Sequence, residues 1–265
     1  MRLLVDIGNQ RIKWMTSVQL EQNPGAQANI VINNGLEDPK TLSAELRNGF
    51  MAVSEPTTIL VSSVSSAAVR DLVNGICIDL WGKSPMFLES RESDIGVVNG
   101  YHNPSQLGVD RWMALIASRK LFPNQDVVVV DAGTAVTVDC LTHLGQFLGG
   151  VIFPGIRTMQ KSLNLQTEKI TIPPTADLVD NSELVMMNRD TRSAVLNGSE
   201  LAVVAGVVLG IDRIASQLNR SIKVVISGGD AQSIAREVRQ EVKKEVRVEP
   251  NLVLMGLAEF DAIKG

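Results

Sequence analysis

One short pattern occurs twice in this chain, half a chain length apart. Leu4-Val5-Asp6-Ile7-Gly8-Asn9 returns as Val130-Asp131-Ala132-Gly133-Thr134. Each copy is an apolar strand, an Asp, a spacer, a Gly and a short polar residue. Each runs into a second β-prone segment, Ile12-Lys13-Trp14-Met15 and Val136-Thr137-Val138-Asp139-Cys140. A strand–turn–strand unit used twice predicts two related halves, not a solenoid. An Asp at a strand tip can orient a metal ion or its waters, and the Gly beside it lets backbone N–H groups approach a phosphate. Two such tips facing each other across a cleft make a nucleotide site.

The remaining pattern fits α/β layers. Strands are predicted at Leu3–Asp6, Ile12–Ser17, Asn29–Asn33, Thr58–Ser62 and Pro85–Leu88, with helices at Pro39–Asn48 and Ala67–Trp81. A polar connector, Glu89–Gln106, leads to a helix from Asp110 to Lys120, closed by Pro123-Asn124. The second half repeats the theme with strands Val127–Asp131, Val136–Leu141 and Phe147–Ile152 and a helix over Ile156–Leu165. A loop holds Pro173-Pro174, and a long helix spans Arg192–Leu218. Strand Ile222–Ser227, helix Ala231–Lys243, strand Val246–Val248 and helix Val253–Phe260 close the chain. Alternating strands and helices favour mixed sheets flanked by helices, divided into halves 1–120 and 121–265.

Composition removes several functions. Hydrophobic residues make up 45% and charged residues 20%, which suits a packed globular chain. A net charge of −4 argues against general nucleic-acid binding, which needs clustered Lys and Arg. Cys77 and Cys140 lie in apolar stretches without metal-like spacing, so they read as buried free thiols in a reducing cytoplasm. Asp6 and Asn9 interrupt any signal-peptide core, and no apolar run reaches the roughly 18 residues of a membrane span. The apolar stretch Leu201–Ile211, with Gly206 and Gly210, reads as a buried helix. His102 and His143 have no partner pattern and read as loop or surface residues. Neither a P-loop nor a G-x-S-x-G elbow is present.

Four segments carry candidate chemistry. In Asp6-Ile7-Gly8-Asn9-Gln10-Arg11-Ile12-Lys13, Gly8 permits a tight turn, Asn9 can bond phosphate oxygens and Lys13 adds positive charge. Asp6 would hold Mg²⁺, directly or through water, because hard Mg²⁺ prefers oxygen ligands and keeps several waters. The second tip offers Asp131 to a cation and the Thr134 hydroxyl to a phosphate. Each tip alone also fits an ordinary hairpin turn. Gly228-Gly229-Asp230 follows an apolar strand and opens a helix, which suits close approach of a ring or phosphate and equally a tight β–α turn. Gly108-Val109-Asp110-Arg111 opens a helix. There Asp110 could act as general base toward an alcohol, with Arg111 binding an anion, or the two could be an exposed helix-start pair.

In this order the motifs resemble the type III pantothenate kinases, within the actin–Hsp70–sugar kinase superfamily. The resemblance rests on Asp6-Ile7-Gly8-Asn9 through Lys13, Gly100-Tyr101 with Pro104, Leu107-Gly108-Val109-Asp110-Arg111-Trp112, and Asp131 through Asp139. It continues through Gly149-Gly150-Val151-Ile152-Phe153-Pro154-Gly155, Thr191 with Ala194 and Gly198, Ser227 through Ala231, and Asn251 through Leu257. It implies duplicated actin-like (ribonuclease H-like) domains with a nucleotide cleft between the halves. The implied reaction is ATP-dependent phosphorylation of pantothenate, the first step toward coenzyme A.

The same resemblance implies that Asp6, Ile7, Gly8, Asn9, Gln10, Arg11, Ile12, Lys13 and Thr134 contact ATP. It makes Asp110 the proton acceptor, and assigns pantothenate contacts to Tyr101, Gly108, Val109, Asp110, Arg111 and Thr191. Asp131 is implied to bind a monovalent cation, K⁺ or NH₄⁺, used with Mg²⁺. A cytoplasmic homodimer, without nucleic-acid or membrane partners, is implied as well. One position departs: the residue after Asn9 is usually Ser or Thr in that family, and here it is Gln10. Gln can still donate a hydrogen bond but is longer and costs more entropy to order. Two other readings stay open, a non-catalytic relative serving as a regulatory accessory factor and an actin-like kinase for another small alcohol.

Overall fold

The computed structural model describes residues 1–33, 37–166, 184–242 and 244–260. The Pro173-Pro174 loop and the last residue of the Ala231–Lys243 helix expectation lie outside the described residues.

Two five-stranded sheets carry the repeat. The first is ordered β3-β2-β1-β4-β5, with β1 Arg2–Ile7, β2 Arg11–Thr16, β3 Asn29–Ile32, β4 Thr58–Ser63 and β5 Met86–Phe87. A small hairpin pairs β6 Ser93–Asp94 with β7 Val97–Val98. The second large sheet is ordered β10-β9-β8-β11-β12, with β8 Asp126–Ala132, β9 Ala135–Leu141, β10 Phe147–Pro154, β11 Ile222–Ser227 and β12 Val246–Val248. In each, the leading strand pairs antiparallel with its successor and parallel with the fourth strand. Asp6 sits opposite Lys13 on one side and Ser62 on the other. Asp131 sits opposite Thr137 and Ser227 in the same way. Both sheets are mixed and flanked by helices, a duplicated α/β architecture as the repeat predicts.

The helices are α1 Ser17–Gln22, α2 Pro39–Met51, α3 Ala67–Trp81, α4 Val109–Leu121, α5 Ile156–Gln166, α6 Thr191–Leu218, α7 Ala231–Glu241 and α8 Leu252–Ala258. Local signals explain several ends. Asp38 accepts from the Thr41 N–H with Pro39 in the first turn, and Gly82 ends α3 in the left-handed region at φ 65°. The expected strand Ile12–Ser17 stops one residue early, because Thr16 and Gln19 form a reciprocal capping box that starts α1. The polar connector holds the β6–β7 hairpin and a 3₁₀ turn, Pro104–Gln106.

The chain forms two compact units. One comprises Met1–Asn124, Gly145–Leu148 and the described chain from Glu249 onward; the other comprises Gln125–Leu144 and Gly149–Val248. This differs from a single division at 120/121. In the first unit Leu3, Val5 and Ile7 pack with Leu42, Leu46, Phe50, Val73 and Ile76 on one face of the sheet. The opposite face meets α4 and α8, which also pack on each other. That double cover buries α4 from Arg111 to Ser118. Gly256 of α8 lies so close that a Cβ there would stand 2.0 Å from the Met113 carbonyl oxygen.

In the second unit Val128, Val130 and Val138 pack against Val203, Val207 and Ile211 of α6 and Ile234 and Val238 of α7. By length and composition α6 could cross a membrane. Its Val203–Val207–Ile211 stripe instead supplies one face of this core. Both cysteines are free and buried, and burial pushes the thiol pKa up to about 12 for Cys77 and to about 11 for Cys140. His143 lies partly exposed in the turn after β9, in keeping with a loop residue. Its ring Nδ1 lies 3.1 Å from Oδ1 of the buried Asp126, and Arg220 Nη1 lies 2.9 Å from that same nitrogen.

Candidate active site

The Asp6–Lys13 segment is a tight hairpin between the central strand of the first sheet and its neighbour. The Gly8 N–H donates to the Arg11 carbonyl at 3.0 Å and closes the turn. A Cβ on Gly8 would stand 3.2 Å from that carbonyl oxygen, so the turn leaves little room for a side chain. Ile7 and Ile12 are fully buried in the core. Any contact these two make with a nucleotide would therefore run through the backbone. Asp6 and Lys13 are direct cross-strand partners, so their side chains share one face of the sheet. Ser62, in parallel register with Asp6, shares that face and is fully buried. Its hydroxyl has no hydrogen-bond partner among the described residues.

Val64 joins this turn to the start of α4. Its N–H donates to the Ile7 carbonyl at 3.0 Å, and its side chain lies beside Gly108, 3.8 Å from where a Cβ would be. Gly108 is the N-cap of α4 and offers no side-chain cap. Asp110, in the first turn, folds back over it: a Cβ on Gly108 would be 2.6 Å from Asp110 Oδ1. The same oxygen accepts the Arg111 N–H at 2.7 Å. Burial pushes the Asp110 pKa above the usual carboxylate range, while the Arg111 N–H and the Arg111 charge pull it down. Burial dominates, because a charged carboxylate loses more hydration there than one hydrogen bond returns.

Arg111 is buried beside two aromatic rings that pack on each other. Its guanidinium carbon lies 5.6 Å from the centre of Tyr101 and 5.8 Å from that of Phe147. Arg111 Nη1 donates to the Tyr101 hydroxyl at 2.9 Å, and the two rings are 5.5 Å apart. Phe147 reaches this group through the Gly145–Leu148 segment, which belongs to the first unit. The backbone of that segment presses on Gly100, where a Cβ would meet the Phe147 carbonyl oxygen at 2.0 Å. Tyr101, Gly108, Val109, Asp110 and Arg111 are thus assembled in one unit. Val109 is buried and could meet a ligand through its backbone only.

The second unit builds its strand tip differently. The Gly133 N–H donates to the Ala135 carbonyl at 3.1 Å and leaves Thr134 exposed at the turn. Thr134 O accepts from the Gly155 N–H at 2.9 Å and from the Thr158 hydroxyl at 2.6 Å. The Asp230 N–H donates to the Ala132 carbonyl at 3.0 Å. The 131–135 turn, the 155–158 helix start and the Gly228–Asp230 turn are therefore one knitted body around Asp131. Thr191 opens α6 in this unit and is exposed, next to the Asp190 cap.

A family model for the type III pantothenate kinases matches residues 2–217 of the chain. The chain belongs to this family. A type III pantothenate kinase of Nitrosococcus oceani is 34% identical, with 97% of this chain and 92% of that one covered. Another, of Laribacter hongkongensis, is 32% identical with 98% of each covered. Two solved structures share the fold. The ethanolamine utilization protein EutJ of Carboxydothermus hydrogenoformans gives a TM-score of 0.57 at 15% identity, over 98% of this chain and 89% of that one. The archaeal actin homologue Ta0583 gives 0.52 at 12% identity, over 97% and 98%.

This type III pantothenate kinase family member also places residues at the site that sequence reasoning passed over. Phe147 read only as the start of a strand, and Ser62 only as the end of one. Thr158 carried no signal beyond lying in a predicted helix, and Gly155 none that tied it to the Thr134 turn. The pairing of Phe147 with Arg111 had no local signature, because the two are brought together by tertiary packing alone.

Proposed function

We propose that this kinase transfers the γ-phosphoryl group of ATP to the primary hydroxyl of pantothenate, giving 4′-phosphopantothenate and ADP. The observation that carries the reading is the buried Asp110 carboxylate at the start of α4, beside Arg111. In this reading Asp110 takes the hydroxyl proton as that oxygen attacks the γ-phosphorus and the bond to the β–γ bridging oxygen breaks. A raised pKa makes the carboxylate a better proton acceptor than an ordinary Asp. Arg111, fixed by Tyr101 and Phe147, would present planar donors to the pantothenate carboxylate. Tyr101, Gly108, Val109 and Thr191 would complete the pantothenate contacts. Asp6 through Lys13 and Thr134 would hold the ATP phosphates.

The donor chemistry fits two ions. Asp6 beside Ser62 offers hard oxygens to Mg²⁺ or its waters, and Asp131 offers a carboxylate to K⁺ or NH₄⁺. Among the described residues no group of three His, Cys, Asp or Glu side chains could enclose a metal. Phosphate oxygens and water would therefore complete each shell, as is usual for Mg²⁺. When bound, Mg²⁺ supplies charge neutralisation at the β- and γ-phosphate oxygens. The edge strand β10 exposes Val151 and Ile152, and α6 exposes Leu209. Such apolar surface supports a homodimer. The free thiols suit a reducing cytoplasm.

The test is ADP release with pantothenate, ATP and Mg²⁺, in K⁺ and in Na⁺, for the native chain and Asp110→Asn. K⁺-dependent turnover that falls by about 10²–10⁴ in the variant is the expected result. A folded sample with no turnover in any cation would instead favour a non-catalytic role. A sugar turned over faster than pantothenate would reassign the acceptor.

A further inference from the structure

We infer that Asn33 is a positioning residue for phosphate binding: its side-chain amide fixes the Gly8–Asn9 peptide so that the Asn9 N–H faces the nucleotide. The inference rests on the reading of the Asp6–Lys13 hairpin as the phosphate turn, and goes one residue deeper. Asn33 follows the end of β3, outside the hairpin itself. Its Nδ2 donates to the Gly8 carbonyl at 2.6 Å and to the Ser65 hydroxyl at 3.1 Å. Its backbone N–H donates to the Gln10 carbonyl at 2.9 Å. One residue thus grips the turn at two of its carbonyls, those of Gly8 and Gln10, and ties it to the loop after β4.

The peptide plane turns this grip into an orientation. In a trans peptide the C=O and N–H point in opposite directions and cannot rotate independently. Drawing the Gly8 carbonyl toward Asn33 therefore aims the Asn9 N–H away from Asn33. The Gly8 N–H is already spent on the Arg11 carbonyl, so the Asn9 N–H is the next amide the turn can aim. Donors fixed before the ligand arrives pay no ordering cost on binding. Both hydrogens of the Asn33 amide are used, one on each side. Replacing the amide by a carboxylate keeps the shape, removes both donors and sets a negative charge against the Gly8 carbonyl. Asn33→Asp should therefore be more harmful than Asn33→Ala.

The experiment uses the full chain with Asn33→Ala, Asn33→Asp, Ser65→Ala and Lys13→Ala. It measures dissociation constants for ATP and adenosine by calorimetry, KM for both substrates, and Tm. Asn33→Ala is expected to weaken ATP about five- to tenfold, the worth of one well-placed hydrogen bond, and Asn33→Asp to weaken it further. Adenosine affinity and the KM for pantothenate should stay unchanged. Unchanged ATP affinity in the folded Asn33 variants would overturn the inference. So would equal weakening of ATP, adenosine and pantothenate, which marks a merely structural role. If the Asn33 variants do not fold, Ser65→Ala decides: about twofold weaker ATP supports the tie, and no change defeats it. Lys13→Ala separates the two levels. Weakened ATP there with intact ATP binding in the Asn33 variants sinks the inference alone. No loss in either removes the phosphate-turn reading, and the inference falls with it.

Discussion

The two strand tips have the same sequence pattern and the same strand order, yet they are braced by different means. In the first unit the turn after Asp6 carries, beside its backbone bonds, a side-chain tie at its glycine, the Asn33 amide on the Gly8 carbonyl. In the second, the Thr158 hydroxyl also bonds the turn after Asp131, but the glycine contacts there are backbone pressed on backbone. Gly155 and Gly228 approach so closely that a Cβ would lie 2.0 Å from the Gly133 oxygen and 2.3 Å from the Ala132 oxygen. A side-chain tie can be removed at the cost of about one hydrogen bond. A backbone contact cannot be relaxed without moving two chain segments. The same tip can thus be tuned in one unit and is rigidly set in the other.

The largest break in this contrast should come from Gly228→Ala. Its φ of 101° disfavours any L side chain, and the new Cβ would meet Ala132 on three backbone atoms. A loss of about 2–4 kcal/mol is expected, read from the denaturant midpoint, against about 1 kcal/mol for Asn33→Ala. Equal losses at the two tips would erase the distinction. Gly155→Ala should behave like Gly228→Ala, although its backbone is not strained.

Gly108→Ala probes the other function of a missing Cβ, to make room for a neighbouring side chain, here the proposed base Asp110. The added methyl would displace the Asp110 carboxylate, and kcat should fall about tenfold to a hundredfold with little change in Tm. An unaltered kcat would mean that the carboxylate position seen here is not the working one. Phe147→Leu should raise the KM for pantothenate about threefold, since the ring face next to Arg111 is lost. The KM for ATP serves as its control and should not move.

The smallest effects are those of pH. Because burial raises the Asp110 pKa, kcat/KM should decline as pH falls through a value above the ordinary carboxylate pKa of about 4. Stability runs the other way. Between the unfolded and the raised folded pKa, the folded chain holds the proton that the unfolded chain has released, so stability falls as pH rises through that interval. Above that interval the charged Asp110 is a net cost to folding. Asp110→Asn should therefore lose turnover while keeping or slightly raising Tm. A clear drop in Tm would show that the carboxylate stabilises the fold.

Much of this was legible in the residues. Ala67–Trp81 and Ile222–Ser227 fall where periodicity places them, since each is a regular element bounded by turn residues. The repeat around Asp6 and Asp131 gave the duplicated sheets, because a strand–turn–strand unit is local in sequence. What stayed hidden was set by distant contacts. Phe147 is read as the start of a strand of the second sheet, yet its ring packs beside Arg111 in the first unit. Asn33 carries no pattern of its own, and its partners Gly8 and Ser65 meet it only through strand pairing. The short helix α1 was missed because its capping box lies inside what reads as a continuing β-prone run.

The first unit is not one stretch of chain. Helix α4, which carries Asp110, is covered by α8, and Asn251 at the start of α8 donates to the Pro24 and Ala26 carbonyls at 2.8 Å. During synthesis, which delivers residues N-terminus first, the whole second unit must emerge before that cover arrives. The nascent first unit therefore waits with the apolar side of α4 uncovered, and closing it is the task of residues made long after the helix itself. A ribosome that stalls in the second unit would leave a chain that has its Asp110 carboxylate and nowhere firm to keep it.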